Sequence, residues 1–180
     1  MGVYDLIKNR KTVYSFSDKP IKEDTIIGLL DAARLAPTAG GIHEYEFIAV
    51  SNKDKKYQLS QICLTPNIDT APFIIVIFCD PEKLKTVFGD EGESVFCVEN
   101  AALAIENILL YAAEQGLGSA WIATVQQDAI KKLLEVPARY IIRGVIPIGY
   151  PSPEGKGVYQ ASVPKLREIT HIESFNNKVV

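Results

Sequence analysis

The stretch FIIVIFC, Phe73–Cys79, decides the fold of this chain. It is a continuous run of β-branched and aromatic residues without polar alternation. Such a run is typical of a strand that is covered on both faces. The sequence therefore predicts a sheet that contains this strand and lies between helices.

Segments with helical and strand-like periodicity flank this strand on both sides. The stretch from about Ser94 to Gln115 has so wide and alanine-rich an apolar face that we expect a deeply buried helix, which Gly116 and Gly118 end. The segment IIRGVIPIGY, residues 141–150, is predicted to be another core strand. Further helices are predicted near 3–10, 24–37, 55–63 and 128–135, and further extended segments at 12–16, 45–50 and 119–125.

The order of these elements indicates an α+β fold. Strands and helices are interspersed without a regular β-α-β rhythm, and no G-x-G-x-x-G follows a first strand, which argues against a doubly wound dinucleotide-binding fold. We expect a three-layer α-β-α sandwich with a central mixed sheet. Residues 1–180 would form a single domain, in which the Pro-, Gly-, Lys- and Ser-rich segment 152–180 is a C-terminal extension that packs on a partner subunit.

Composition and charge exclude several classes of function. The chain is 47% hydrophobic and 23% charged, as globular proteins are, and a net charge of −3 without a basic block argues against nucleic acid as a partner. The apolar runs are too short to cross a bilayer and the N-terminus lacks the apolar region of a signal peptide, so we expect no membrane partner and a cytoplasmic location. The three cysteines show no C-x-x-C spacing and are expected to be reduced, and no spacing of Cys and His predicts a metal site.

Two segments have the chemistry to hold an anion or a flat ligand. Arg10, Lys11 and Thr12 combine a guanidinium fork, an ammonium and a hydroxyl, which suits a phosphate. Cations that complement a helix dipole explain the same residues without a ligand. In PTAGG, Pro37–Gly41, the two glycines let a flat ligand approach the main chain. A glycine turn between a helix and a strand also explains that segment.

Two further segments place glycines at the ends of elements. They are EQGLGSAWIAT, residues 114–124, and IPIGYP, residues 146–151. Trp121 either fills the core or stands beside an aromatic ligand, and packing alone is sufficient to explain both segments. Catalytic side chains are poorly represented: His43 has no placed carboxylate partner, Cys97 has no identifiable base, and no G-x-S-x-G is present.

In order and spacing, the four segments resemble the nitroreductase family of FMN-dependent flavoproteins, which work as intertwined homodimers. RKTVYSF resembles the opening run Arg-Arg-Ser-Val-Arg-x-Phe of that family, and APTAGGIHEYEF resembles its Ala-Pro-Ser-x-x-Asn-x-Gln-Pro-Trp-x-Phe. GLGSAW and PIGYP resemble its Gly-Leu-Gly-Ser-x-Trp and Pro-hydrophobic-Gly-Tyr-Pro. The resemblance covers nearly the whole chain and implies a nitroreductase-like sandwich with a mainly antiparallel sheet in an intertwined homodimer.

The resemblance also implies FMN as the cofactor and assigns a set of residues to it. These residues are Arg10, Lys11, Thr12, Pro37, Thr38, Ala39, Gly41, Ile122, Ala123, Thr124 and Gly149. The first three would hold the ribityl phosphate and the pyrimidine edge, and the next four would come from the other subunit. Residues 122–124 would lie beside the isoalloxazine, with the N–H of Ala123 directed at flavin N5, and Gly149 would lie on the opposite side.

The activity that the resemblance implies is that of an FMN-dependent NAD(P)H oxidoreductase. Two electrons would pass in a ping-pong reaction from NAD(P)H through flavin N5 to an electron-poor acceptor such as a nitroaromatic or a quinone. Because the cofactor carries the chemistry, no catalytic side chain is required. Two alternatives stay open: a divergent family member with another flavin chemistry, and a non-catalytic dimer that only binds flavin.

The chain departs from the family pattern at three positions that bear on FMN. Tyr14 stands where the second arginine of the opening run is expected, and Gly41 stands where Asn is expected. Val163 aligns with the basic residue that grips the phosphate near the C-terminus, and either Lys165 or Lys156 would have to replace it. The physiological substrate and the choice between NADH and NADPH do not follow from the sequence.

Overall fold

The computed structural model describes residues 2–155 and 157–178. Its α-helices are α1 (Val3–Asn9), α2 (Glu23–Arg34), α3 (Lys53–Ile62), α4 (Pro81–Glu91), α5 (Cys97–Glu114), α6 (Gln127–Leu134) and α7 (Leu166–Ile169). Its strands are β1 (Thr12–Val13), β2 (Tyr45–Val50), β3 (Phe73–Cys79), β4 (Gly118–Ser119), β5 (Ile141–Gly149) and β6 (Val158–Tyr159). Lys156, one of the two residues suggested to replace the C-terminal phosphate ligand, lies outside the described residues.

The strands form one mixed sheet in the order β2-β3-β5-β4-β1-β6. Strands β1 and β4 are parallel, whereas the other neighbouring pairs are antiparallel. The predicted mixed and mainly antiparallel sheet is therefore confirmed. Because β1 lies beside β4, the residues that follow α1 are brought next to the residues that follow α5.

Strand β3 is buried along its whole length, as the FIIVIFC run predicts. Alternate residues point to opposite faces of a sheet, and here Ile75 and Ile77 belong to one hydrophobic cluster while Ile74 and Val76 belong to the other. The first cluster includes residues of α2, α4 and α5, and the second includes residues of α3 and α6. The three-layer α-β-α sandwich is thus confirmed.

The buried helix predicted from Ser94 is preceded by helical structure that the sequence pattern does not reveal. Helix α4 leads through a break at Gly89, where φ is 62°, into a π-helical turn at residues 92–96 and then into α5. Among the described residues, only the stretch Pro81–Glu114 is long and apolar enough to span a membrane by length and composition. Helix α5 packs its apolar face against the sheet, which is what a core helix does.

The structure corrects the expectation that all three cysteines are reduced. Cys79 at the end of β3 and Cys97 at the start of α5 form a disulfide, and both residues are buried. Cys63 is the free cysteine among the described residues. The pair lies 18 positions apart in the sequence, which hides its proximity, because the turn into α5 lays that helix back across the strand.

One other segment differs from its prediction. The predicted strand at residues 119–125 is reduced to β4 and a single bridge between Ile122 and Val145. After Ile122 the chain leaves the sheet, and both Ala123 and Thr124 are exposed.

Beyond β5, β6 pairs with β1, and the chain then runs over the surface with little burial. Its exposed apolar residues are Val163, Leu166, Ile169, Ile172 and Phe175.

Candidate functional site

Arg10 and Lys11 line a cavity between the end of α1 and the turn after α5. The cavity has a volume of about 620 Å³ and is also lined by Gly116–Gly118 and Ser152. This volume is in the range of small-molecule sites, roughly 300–1,000 Å³. The pairing of β1 with β4 builds the cavity, because Thr12 lies directly opposite Ser119. Two cations therefore line a space whose wall also includes three glycines, Gly116, Gly118 and Gly155.

Arg10 is incompletely paired within its own chain. Its Nε atom is buried and has no hydrogen-bond partner among the described residues. The closest acidic group is Glu106, whose Oε1 lies 3.6 Å from that nitrogen, beyond hydrogen-bond length. A buried donor without an acceptor costs free energy. An anion in the adjacent cavity would supply the missing acceptor.

A second cavity lies beside the first and is reached by the next residue of the same segment. Val13 lines the first cavity and Tyr14 the second, which has a volume of about 470 Å³. Ile122, Ala123 and Thr124 line the second cavity together with Tyr14. Thr12, which lies within β1 between β4 and β6, lines neither of the two.

Residues 122–124 present a free backbone donor to this second cavity. The N–H and C=O of Ile122 are both bonded to Val145 at 3.0 Å, which fixes the segment to β5. The N–H of Ala123 makes no hydrogen bond to another residue of the described ranges. An exposed segment with a rigid base and an unpaired donor can orient a flat polar ligand.

The PTAGG segment forms a tight turn between α2 and β2. Gly40 and Gly41 both have positive φ, 60° and 71°, a conformation that favours glycine. A Cβ added at Gly41 would meet nothing within 4 Å, so the turn faces open space there. Turn chemistry therefore requires the glycines, and the open space leaves room for a ligand or a second chain.

Thr38 in this turn is the second predicted site residue with an unsatisfied buried atom. Its Oγ1 is buried and lacks a hydrogen-bond partner, as does the Nε of Arg10. Pro37 is exposed, while Thr38 and Ala39 are half-buried. None of the turn residues lines either of the two cavities. Within the described chain, the turn therefore does not share a cavity with Arg10 and Lys11.

A buried polar network that the sequence did not reveal anchors the turn. The N–H of Ala39 donates to Asn100 Oδ1 at 2.9 Å, and Asn100 Nδ2 donates to Glu44 Oε2 at 3.0 Å. Glu44 is fully buried, and this burial raises the pKa of its carboxyl above the ordinary value, against the opposing hydrogen bond from Asn100. An Asn on the apolar face of α5 was the signal in the sequence, because a buried amide needs partners.

Gly149 is explained by packing. A Cβ at this position would lie 2.6 Å from Pro72 Cδ and 2.9 Å from Phe16 Cδ1. Trp121 likewise has a structural role, since its Nε1 donates to the carbonyl of Arg143 at 3.1 Å and its indole covers Gly144. Contact of Gly149 with a cofactor stays a prediction.

Comparison with known proteins places the chain in a family. The sequence model of the Nitroreductase family matches residues 7–68 and 63–150. A protein of Methanothermobacter thermautotrophicus, provisionally named NADH dehydrogenase/NAD(P)H nitroreductase, is 30% identical over 157 residues, which cover 84% of this chain and 78% of that protein. An NADPH-dependent oxidoreductase of Staphylococcus haemolyticus is 24% identical over 97% of this chain and 74% of its own.

Solved structures agree. The FMN-dependent nitroreductase of Clostridium difficile R20291 is 31% identical and superposes with a TM-score of 0.77, covering 94% of this chain and 98% of its own. A nitroreductase family protein of Clostridium novyi NT is 26% identical with a TM-score of 0.77, covering 99% and 97%. The fold, the order of the segments and these matches lead to one conclusion: the chain belongs to the nitroreductase family.

Proposed function

We propose that this protein is an FMN-dependent NAD(P)H oxidoreductase that acts as a homodimer on an electron-poor acceptor such as a nitroaromatic or a quinone. The class of enzyme and the cofactor follow the family, and the relatives named above as FMN-dependent and NADPH-dependent support both. When bound, FMN would supply the two-electron transfer between NAD(P)H and the acceptor in alternate half-reactions.

The observation that carries the proposal is the unpaired, buried Nε of Arg10 at the edge of the larger cavity. The side chains there fit a phosphate: Arg10 offers a guanidinium and Lys11 an ammonium. Gly116 leaves open space in the same cavity wall, since a Cβ added there would meet nothing within 4 Å. Arg10 and Lys11 would bind the phosphate, and Thr12 would position them through its place in β1. Ala123 would direct its N–H to the flavin ring from the neighbouring cavity.

The turn from Pro37 to Gly41 would complete the site from a second subunit. Thr38 and Ala39 would cover the flavin together with Gly41, whose open surroundings leave space for it. The unsatisfied Oγ1 of Thr38 supports this role, because a buried hydroxyl is expected to find a partner in the complete assembly. Gly149 would lie on the far side of the ring.

The C-terminal segment supports the dimer. From Val163 to Phe175 it carries large apolar side chains that are mostly exposed in the single chain, up to 82% at both of these residues. A short segment with several large, exposed apolar side chains is typical of an interaction site. We infer that segment 152–180 packs on the partner subunit. Lys165, which lines neither cavity, would reach the phosphate only in that assembly.

The absorption spectrum of the purified protein tests the proposal. We expect a yellow protein with a flavin spectrum, or one that takes up FMN at micromolar concentration, and we expect NADH or NADPH to bleach it without oxygen. Addition of a nitroaromatic or a quinone should restore the colour. A protein that stays colourless with FMN would contradict the proposal, and a yellow protein that neither nucleotide bleaches would favour a non-catalytic flavin binder.

A further inference from the structure

The buried pair Cys79–Cys97 lies beside Arg143, a cation that has no role in the proposed flavin site. Arg143 on β5 directs its Nε at Cys79 Sγ, at 3.1 Å, and its Nη2 at Cys97 Sγ, at 3.4 Å. Two donors of one guanidinium thus bracket the two sulfurs. Cys63, the free cysteine among the described residues, lies in the other hydrophobic cluster.

A disulfide offers only weak hydrogen bonds to the half-buried guanidinium of Arg143. Its sulfurs are weak hydrogen-bond acceptors, whereas desolvation of Arg143 costs enough to lower the pKa of its guanidinium. A thiolate accepts strong, charge-assisted hydrogen bonds from the same donors. The arrangement of donors therefore suits the reduced pair better than the oxidised pair.

The backbone bends from regular geometry at this cation. Ile77 pairs with Gly144, but the next residue of β3, Phe78, pairs with Ile142, so Arg143 is the extra residue of a β-bulge. Bulges re-aim side chains and are frequent next to active sites. Here the bulge is where the sheet departs from its register to place the arginine on the sulfurs.

The segment that leads into Cys97 is irregular as well. Gly89 breaks the helix with φ of 62°, and a π-helical turn spans residues 92–96 directly before Cys97. Such turns are rare and are frequently found at functional sites. Because both sulfurs are buried, a reductant can reach them only through a local opening, and this irregular turn is the natural place for one.

We propose that Cys79 and Cys97 form a reversible redox pair that exchanges electrons with dithiols, with Arg143 as the residue that stabilises the thiolate released on reduction. Stabilising the leaving thiolate makes the disulfide easier to reduce. Glu44 interacts electrostatically with Arg143 and favours the charged form of the guanidinium.

A thiolate of the dithiol attacks one sulfur of the pair, a mixed disulfide forms, and the Cys79–Cys97 bond breaks to release the other sulfur as a thiolate beside Arg143. The second thiol of the reductant then displaces the protein sulfur, and the reductant leaves as a disulfide. Two electrons have moved to the protein, one proton stays on the protein thiol, and the other goes to solvent.

Thiol counting on the native protein tests the proposal. The full chain is equilibrated in mixtures of reduced and oxidised dithiothreitol, quenched with acid, alkylated in denaturant and weighed by mass spectrometry. Cys63 takes a label in every state and serves as an internal reference. We expect one label for the oxidised protein and three for the reduced protein. The two forms should interconvert in both directions while circular dichroism shows a folded chain. A pair that never oxidises, or that is reduced only on unfolding, would overturn the proposal.

The role of Arg143 is tested by substitution. Arg143→Gln should make the disulfide about tenfold or more harder to reduce, the scale of a lost hydrogen bond to a charged group. The exposed Arg34→Gln should leave the equilibrium unchanged. If Arg143→Gln does not fold, Arg143→Lys, which keeps the charge but loses the fork, should give a smaller shift in the same direction. An unchanged equilibrium in a folded Arg143 variant would remove the arginine from the proposal.

Discussion

Arg10 is a partly buried cation, and its buried Nε atom has no hydrogen-bond partner among the described residues. Glu106 neutralises some of its charge from 3.6 Å, but the Nε atom keeps an unmade hydrogen bond. Without a bound anion, Arg10 contributes little to the stability of the folded chain. With a bound anion, it would form a charge-assisted hydrogen bond. The effect of its removal should therefore appear in cofactor binding more than in stability.

Arg10→Ala should weaken FMN binding by roughly 1.5–3 kcal/mol, or about 10- to 100-fold in Kd, because a hydrogen bond to a charged group is lost. Fluorescence titration of the apoprotein with FMN measures this change. Arg34→Ala is the matched control, since Arg34 is exposed and, among the residues that the structure describes, pairs with Asp31 at 2.6 Å. Equal affinities for the Arg10 variant and the wild type would assign the phosphate to another residue.

Glu44 gives the protein a pH dependence with a definite sign. Burial raises the pKa of its carboxyl above 4.5 in the folded state. The folded protein therefore holds this proton more tightly than the unfolded chain does, and the associated stability is fully present below pH 4.5 and is lost as pH rises through the raised value. Above that window, burial of the charged carboxylate is a constant cost.

Glu44→Gln should remove this dependence, because an amide can still accept the hydrogen bond from Asn100 but carries no charge. Relative to wild type, the variant should gain stability as pH rises from about 4.5, its ordinary pKa, towards neutrality. Urea unfolding at a series of pH values measures the difference. The exposed Glu23→Gln serves as the control, and a Glu44 difference that is flat with pH would show that the carboxyl is not the group responsible.

The sequence predicted those elements whose apolar pattern indicates directly which side chains are buried. A strand that is covered on both faces must be apolar throughout, which is why FIIVIFC indicated β3 and, with it, the sandwich. Helix α4 left no such signal, because it is largely polar and Gly89 interrupts it. Local pattern cannot show that the chain continues as a π turn into α5.

Contacts between distant parts of the chain could not be predicted in the same way. Asn100 meets Glu44 across 56 residues, and Cys79 meets Cys97 only because α5 folds back over β3. The local sequence around each of these residues explains it without a distant partner. Arg10 and Thr38, in contrast, were candidates from their own chemistry, and the family resemblance then assigned them to the cofactor. Each has a buried atom without a hydrogen-bond partner among the described residues, which supports that prediction.

The glycine turn allows a prediction that separates backbone strain from steric contact. Gly41→Ala should destabilise the chain by roughly 1–2 kcal/mol, since φ is 71° but the Cβ meets open space. Gly40→Ala should cost more, because its Cβ would also approach Phe88 Cζ at 3.0 Å. Gly41→Asn should cost less than Gly41→Ala, because Asn tolerates this conformation. Chemical denaturation of the three variants gives the order, and an equal cost for both alanine variants would mean that Phe88 moves aside freely.

The assembly as a whole is where the separated parts of the site would meet. In one chain the cations line one cavity, residues 122–124 line another, and the turn at residues 37–41 lies on neither. The same chain exposes a C-terminal segment with five large apolar residues. A second copy would resolve both features together, because it would bury the segment and supply the turn.

Substitution in this segment should therefore change the oligomeric state without unfolding the chain. Phe175→Ser and Leu166→Ser remove side chains that are 82% and 71% exposed in the single chain, so their loss has little effect on the fold of a protomer. Each should weaken dimerisation by about 1.5–3 kcal/mol, or roughly tenfold or more in Kd, the scale for burial of a large apolar side chain. Tyr57→Ser, at an exposed residue of α3 outside the segment, should leave the dimer intact. Sedimentation equilibrium measures all three against the wild type. A wild-type protein that is monomeric at micromolar concentration would contradict the dimer itself. If neither substitution weakens the dimer, its interface lies elsewhere, and packing of this segment would not bring the turn at residues 37–41 to the flavin.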